Sequence, residues 1–80
     1  MPVVFRDGGY RFHFYSFEGS PREPVHVHVA RPGGDMKLWL FPEVRVAYNR
    51  GLTAREQRIV QRIATERRQE IVDAWNQFFA

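Results

Sequence analysis

The sequence contains no cysteine, which excludes a disulfide framework and a thiolate-held zinc site as sources of stability. It contains one lysine, Lys37, so its positive charge rests almost wholly on arginine. No apolar run approaches the roughly 20 residues that a membrane-spanning helix needs. The first residues carry no apolar leader pattern either, so the expected setting is the cytoplasm, with no membrane association. Internal repeats and low-complexity tracts are missing. So are Walker-type, paired-carboxylate and Ser-His-Asp patterns, and nothing in the chain implies a cofactor.

What is present must therefore hold the chain together by packing. Eighty residues make a single domain, 1–80, near the lower size limit for folding without staples. The 44% hydrophobic and 15% aromatic content supplies the core, since large rings bury much area per residue. Each buried Phe or Leu contributes roughly 1.5–3 kcal/mol, so the margin is thin, and obligate pairing with a second chain, a homo-oligomer included, stays open. The formal charge is +3. Arginine suits planar, bidentate contact with phosphate or carboxylate, which points to nucleic acid or an acidic partner. A charge of this size also fits an ordinary solvated surface.

Pro2 to Phe5 reads as a short strand ended by Asp7-Gly8-Gly9, a hairpin signal. Tyr10 to Phe17 alternates and is rich in aromatics, Gly19 to Pro24 is a loop, and Val25 to Ala30 alternates strictly. The turn residues Arg31-Pro32-Gly33-Gly34-Asp35 lead into a strand over Met36 to Phe41. Pro42-Glu43 interrupts, and Val44 to Tyr48 is a fifth strand or a continuation across a bulge. Thr53 and Glu56 have capping-box spacing, and a helix starts there. Its apolar positions recur through Ile59, Val60, Ile63, Ala64, Ile71, Ala74, Trp75 and Phe78, with a break expected near Glu66-Arg67. The fold class is α+β: an antiparallel sheet of four to five strands, then a C-terminal helical segment packed on one face.

Strand side chains alternate between faces. Tyr10, Phe12 and Phe14, Val25, Val27 and Val29, and Met36, Leu38 and Leu40 form one set, which should meet the helix. The other set is Arg11, His13 and Tyr15, His26, His28 and Ala30, Lys37 and Trp39, and Arg45. If strands pair in chain order, all three histidines share an open face with basic and aromatic residues.

Two imidazoles on one strand, His26 and His28, can serve three chemistries. They could ligate a metal, with His13 or a carboxylate completing the site. They could act as general acid and base on RNA, with Arg11, Lys37 or Arg45 on phosphate. Alternatively Tyr15 and Trp39 stack bases while the cations hold the backbone, without any reaction. Against these stands an ordinary polar sheet surface, or one covered by a partner protein. Arg55, Arg58 and Arg62 read as a solvated helix face, and Arg50 with Arg55 as a candidate phosphate corner. Trp75, Phe78 and Phe79 read as core closure, with Phe79 also placed to dock another chain.

Several segments carry a resemblance: Pro2 to Phe5, Gly9-Tyr10-Arg11-Phe12, Glu23-Pro24-Val25-His26-Val27-His28-Val29, Lys37-Leu38-Trp39-Leu40, Ala47-Tyr48-Asn49-Arg50-Gly51 and Ala74-Trp75-Asn76. Over nearly its whole length the chain resembles the small bacterial family filed as domain of unknown function 4160. The His-Val-His stretch is its most specific piece. Val25 stands where members usually carry a second proline, and His13 matches no family position. The resemblance implies a stand-alone protein encoded beside a small protein of the family filed as domain of unknown function 2442, in an arrangement like a toxin–antitoxin pair. The leading expectation is thus one component of such a pair, binding that protein and RNA or DNA, with His26 and His28 as the catalytic pair if it is the toxin. The alternative is a non-catalytic interaction or regulatory module docking a partner on its sheet face. A metal-binding domain built on His26 and His28 comes third.

Overall fold

Strand-forming runs separated by glycine turns produce a meander, since each short turn can only return the chain beside the strand it has just left. The computed structural model describes residues 2–16 and 23–80. Five strands, β1 (Val3–Asp7), β2 (Tyr10–His13), β3 (His26–Arg31), β4 (Gly34–Trp39) and β5 (Arg45–Arg50), pair antiparallel in chain order. Two helices follow, α1 (Ala54–Glu66) and α2 (Arg68–Phe78), giving the expected α+β layout.

The turns explain the register. Gly8 and Gly9 take φ of 58° and 85°, the positive values that a two-residue hairpin between Asp7 and Tyr10 demands. The turn between β3 and β4 uses only Pro32 and Gly33, so Gly34 and Asp35 join the sheet rather than the loop. β2 ends at His13, short of the expected Phe17. Phe14 leaves the β2–β3 ladder and donates its N–H to the Pro2 carbonyl at 3.0 Å. Phe17 and residues 19–22 of the expected loop lie outside the described residues. Register shifts interrupt β1 between Val3 and Phe5, and the β4–β5 ladder where Lys37 and Leu38 face Tyr48 and Val46. Each adds an unpaired residue and so inverts the alternation locally.

The helices cover the face carrying Phe12, Phe14, Val27, Val29, Met36, Leu38 and Leu40, against which Val60, Ile63, Ala64, Ile71 and Trp75 are buried. Thr53 caps α1 as its spacing predicts. Its Oγ1 accepts from the Glu56 N–H at 3.1 Å, and the Glu56 carboxylate accepts from the Thr53 N–H at 2.9 Å. Asn49 sets the approach to the helix: its Oδ1 accepts from the Leu52 N–H, and its Nδ2 donates to the Leu52 carbonyl and to Gln57. The helical segment breaks at Arg67, where the expected interruption falls. The Arg67 guanidinium lies 3.5 Å from the centre of the Phe5 ring and pairs with Asp7 and Glu70, which ties the break to β1. Arg68 donates to the Leu40 carbonyl at 2.7 Å. The expected solvated face of α1 is present, with Arg55, Arg58 and Arg62 exposed. Phe78 departs from the expected core: it remains 41% exposed, with only part of its ring against Phe14 and Phe79.

Two predictions concern this frame. Gly51 has φ of 91°, and a Cβ there would collide with the Gly33 carbonyl. Gly51→Ala should therefore lower the unfolding free energy by at least about 2 kcal/mol in urea melts, more than a strain-free surface change. The Glu56 carboxyl is held below the usual carboxylate range chiefly by the Thr53 N–H; burial opposes this, and the nearby Arg31 adds a lesser lowering effect. A lowered folded-state value means its contribution is present above about pH 4.5 and is lost as pH falls further. Glu56→Gln should flatten the acid limb of a stability–pH curve; an unchanged limb would remove this carboxylate from the account.

Candidate nucleic-acid interface

Because Val27 and Val29 point into the core, His26, His28 and Ala30 must point the other way. The register then assembles three cross-strand rows on that face. Arg6, Arg11, Ala30, Asp35 and Arg50 form the first. Val3, His13, His28, Lys37 and Tyr48 form the second. His26, Trp39 and Arg45 form the third.

All three histidines do share the face opposite the helices, as chain-order pairing requires. The face is not open at their rings, however: His13, His26 and His28 are 1%, 0% and 5% exposed. Neighbouring rings account for the cover. His28 stacks on His13 at 5.7 Å and meets the Tyr15 ring at 4.6 Å, the His26 ring at 5.2 Å and Tyr48 at 6.4 Å. The Tyr48 hydroxyl and His28 Nδ1 share a hydrogen bond of 3.3 Å. Burial, opposed by Arg50, raises the Tyr48 phenol above its ordinary value, so it stays a neutral hydroxyl at neutral pH.

His26 is bound most firmly. Its Nδ1 donates to the Pro24 carbonyl at 2.8 Å, fixing the ring. That ring contacts Trp39 at 5.5 Å and, from the helical layer, Trp75 at 4.9 Å. Trp75 in turn meets Phe14 edge-on at 5.3 Å and Phe79 at 4.2 Å. His26 is thus part of the joint between sheet and helix.

The remaining candidates divide by row. Lys37 lies 4.4 Å over the Trp39 ring and pairs with Glu23 at 3.3 Å. Arg45 is exposed and registers opposite Trp39. Tyr15 is half-buried against His13 and His28. Arg11 lies one row away, beside Arg6. The proposed Arg50–Arg55 corner does not form around Arg50, which pairs with Asp35 at 3.1 Å and lies over the Tyr48 ring at 4.2 Å. Among the described residues no group of three or more His, Cys, Asp or Glu side chains comes together to hold a metal ion. The His26–His28 pair therefore gains no third protein ligand there.

Sequence reasoning missed Arg6 and Tyr48, and it grouped Arg50 with Arg55 rather than with this face. Simple alternation from Arg45 puts Tyr48 on the core face. The bulge returns it to the histidine face while Val46 stays inward. The doubled valines ahead of Phe5 were the corresponding signal in β1.

Most of these rows, Val3 and Arg6 of β1 excepted, fall inside a stretch that matches a known family, described as Domain of unknown function (DUF4160), over residues 9–76. The chain belongs to that family. No curated protein and no solved structure matches it. No helix of the described residues is long and apolar enough to cross a membrane. Within this DUF4160 chain, the His-Val-His and Lys-Leu-Trp segments lie side by side, His26 opposite Trp39 and His28 opposite Lys37.

If His26 is a packing residue, His26→Ala leaves a cavity against Trp75 and strands the Pro24 carbonyl. It should cost roughly 2–4 kcal/mol in chemical denaturation, whereas Arg45→Ala should stay within about 0.5 kcal/mol. Equal stabilities for the two variants would return His26 to the list of dispensable, functional side chains.

Proposed function

We propose that this protein is one component of a toxin–antitoxin-like pair that works in the cytoplasm and binds single-stranded nucleic acid, RNA foremost, on the sheet face opposite its helices. Its protein partner in this reading is a small protein of the family filed as domain of unknown function 2442. The observation that carries the reading is the coincidence on one face of Arg6, Arg11, Lys37, Arg45 and Arg50 with the rings of Tyr15, Trp39 and Tyr48. Cations draw the phosphate backbone, and flat rings accept unpaired bases whatever their sequence. The carboxylates nearby, Asp35 and Glu23, are each engaged by a cation, so they repel an anionic strand less than free acids would.

Burial of the imidazoles favours binding over a nuclease reaction run by His26 and His28. A general base must reach within hydrogen-bond distance of the proton it removes, and rings exposed by 5% or less offer little surface for that. In this account the histidines form the floor that holds Trp39, Tyr15 and Tyr48 in place.

Fluorescence anisotropy with short single-stranded RNA and DNA tests the reading. Trp39→Ala should weaken binding by roughly 1–3 kcal/mol if a base stacks there. Lys37→Gln and Arg45→Gln should each lower the salt slope by about 1, uniformly across sequences. Absence of binding to either polymer at low salt would overturn the proposal. Growth arrest on induction that His28→Phe relieves, with RNA binding intact, would restore catalysis through the histidine strand.

A further inference from the structure

Arg6 and Arg11 occupy directly opposed positions of the β1–β2 pair. Directly opposed side chains in an antiparallel pair have Cβ atoms roughly 4.5–5.5 Å apart, and like charges there repel. Among the described residues neither arginine is paired with an acid. Asp7, next along β1, points to the helical side and pairs with Arg67. Asp35, in the same row, pairs with Arg50. Beside the two guanidinium groups lies a pocket of about 280 Å³ lined by Arg6, Gly9, Arg11, Ala30, Arg31 and Pro32. Among the described residues no carboxylate lines it.

Of the three arginines, Arg31 is committed elsewhere: it pairs with Glu56 at 2.9 Å and lies over the Tyr10 ring on the helical side. Arg11 differs. Its Nε is shielded from solvent and has no hydrogen-bond partner among the described residues. A buried charged donor without an acceptor is costly unless an acceptor arrives from outside, and a planar guanidinium matches two oxygens of one phosphate. Small Gly9 and Ala30 leave the approach between the arginines unobstructed by long side chains.

We propose that this pocket is a subsite for a terminal phosphate of a nucleic-acid strand, gripped by Arg6 and Arg11. Two cations with no acidic partner among the described residues match a phosphomonoester dianion better than the single charge of an internal phosphodiester. The pocket lies at the turn end of the sheet, one row from Tyr48 and two from Trp39, so that the end of a strand lying over those rings could reach it. The strand context rests on the nucleic-acid reading above; the phosphate site itself rests only on the pocket.

The test is an NMR titration of the whole chain with a dinucleotide carrying a 5′-phosphate, the same dinucleotide with a 3′-phosphate, and the same with hydroxyl ends. One phosphorylated form should bind at least about tenfold tighter than the hydroxyl form, with shifts at the Gly9 and Arg11 amides and the Arg11 Nε–H. The R6Q/R11Q variant should bind all three equally. Should that pair fail to fold, R6Q alone, at an exposed side chain, should shrink the preference. Equal affinities in the wild type, or a preference that survives R6Q/R11Q, would overturn the subsite. Binding of a longer RNA without any end preference would leave the sheet-face reading standing and remove the subsite. An end preference without binding of a longer RNA would keep the phosphate site and remove that reading.

Discussion

Burial of Val27 and Val29 beneath the helices is the constraint on which the rest depends. Each side chain is fully removed from water, so a slip of one residue in β3 would exchange them for imidazoles in the core. Both neighbours lock the same register: Phe12 lies beside Val29 on one side, and Leu38 beside Val27 on the other. With β3 held so, His26, His28, Arg11, Lys37 and Trp39 follow from alternation and register, while the bulges in β1 and β5 place Val3, Tyr48 and Arg50.

The opposite face is not a plain polar surface. Its centre is a packed layer of imidazole and aromatic rings, and its cations stand at the margins or over rings. That arrangement separates two tasks usually shared by one set of residues. In the proposed reading the histidines stiffen the platform, with His26 braced against Trp75, while Arg6, Arg11, Lys37 and Arg45 would meet an anionic partner. A buried imidazole can do the first task where a ring nitrogen meets an acceptor or donor, as His26 Nδ1 does at the Pro24 carbonyl and His28 Nδ1 at the Tyr48 hydroxyl.

Much of the Ala-Tyr-Asn-Arg-Gly segment serves folding. Asn49 closes the turn into α1, and Gly51 takes a backbone conformation that permits contact with the β3–β4 turn, where Gly34 also approaches the chain without a side chain. Tyr48 and Arg50 point to the other side and belong to the candidate interface. A motif read only for chemistry would have merged these two roles.

Strand and helix identity, the capping box, the break at Arg67 and the division of side chains into two faces were determined by the sequence alone, because they depend on local conformational preference and on periods of 2.0 and 3.6 residues. Which strands neighbour one another agreed with the short turns, and so was legible too. The burial of His13, His26 and His28 was decided only in three dimensions, since it depends on Tyr15, Trp39, Tyr48 and Trp75 arriving from four other segments. The same holds for Tyr48, placed by a bulge, and for the Arg6–Arg11 pocket, whose two cations are five residues apart in sequence and are opposed only once the hairpin closes. Local patterns record which way a side chain points; what it meets there is set by register and packing between segments that the sequence keeps apart.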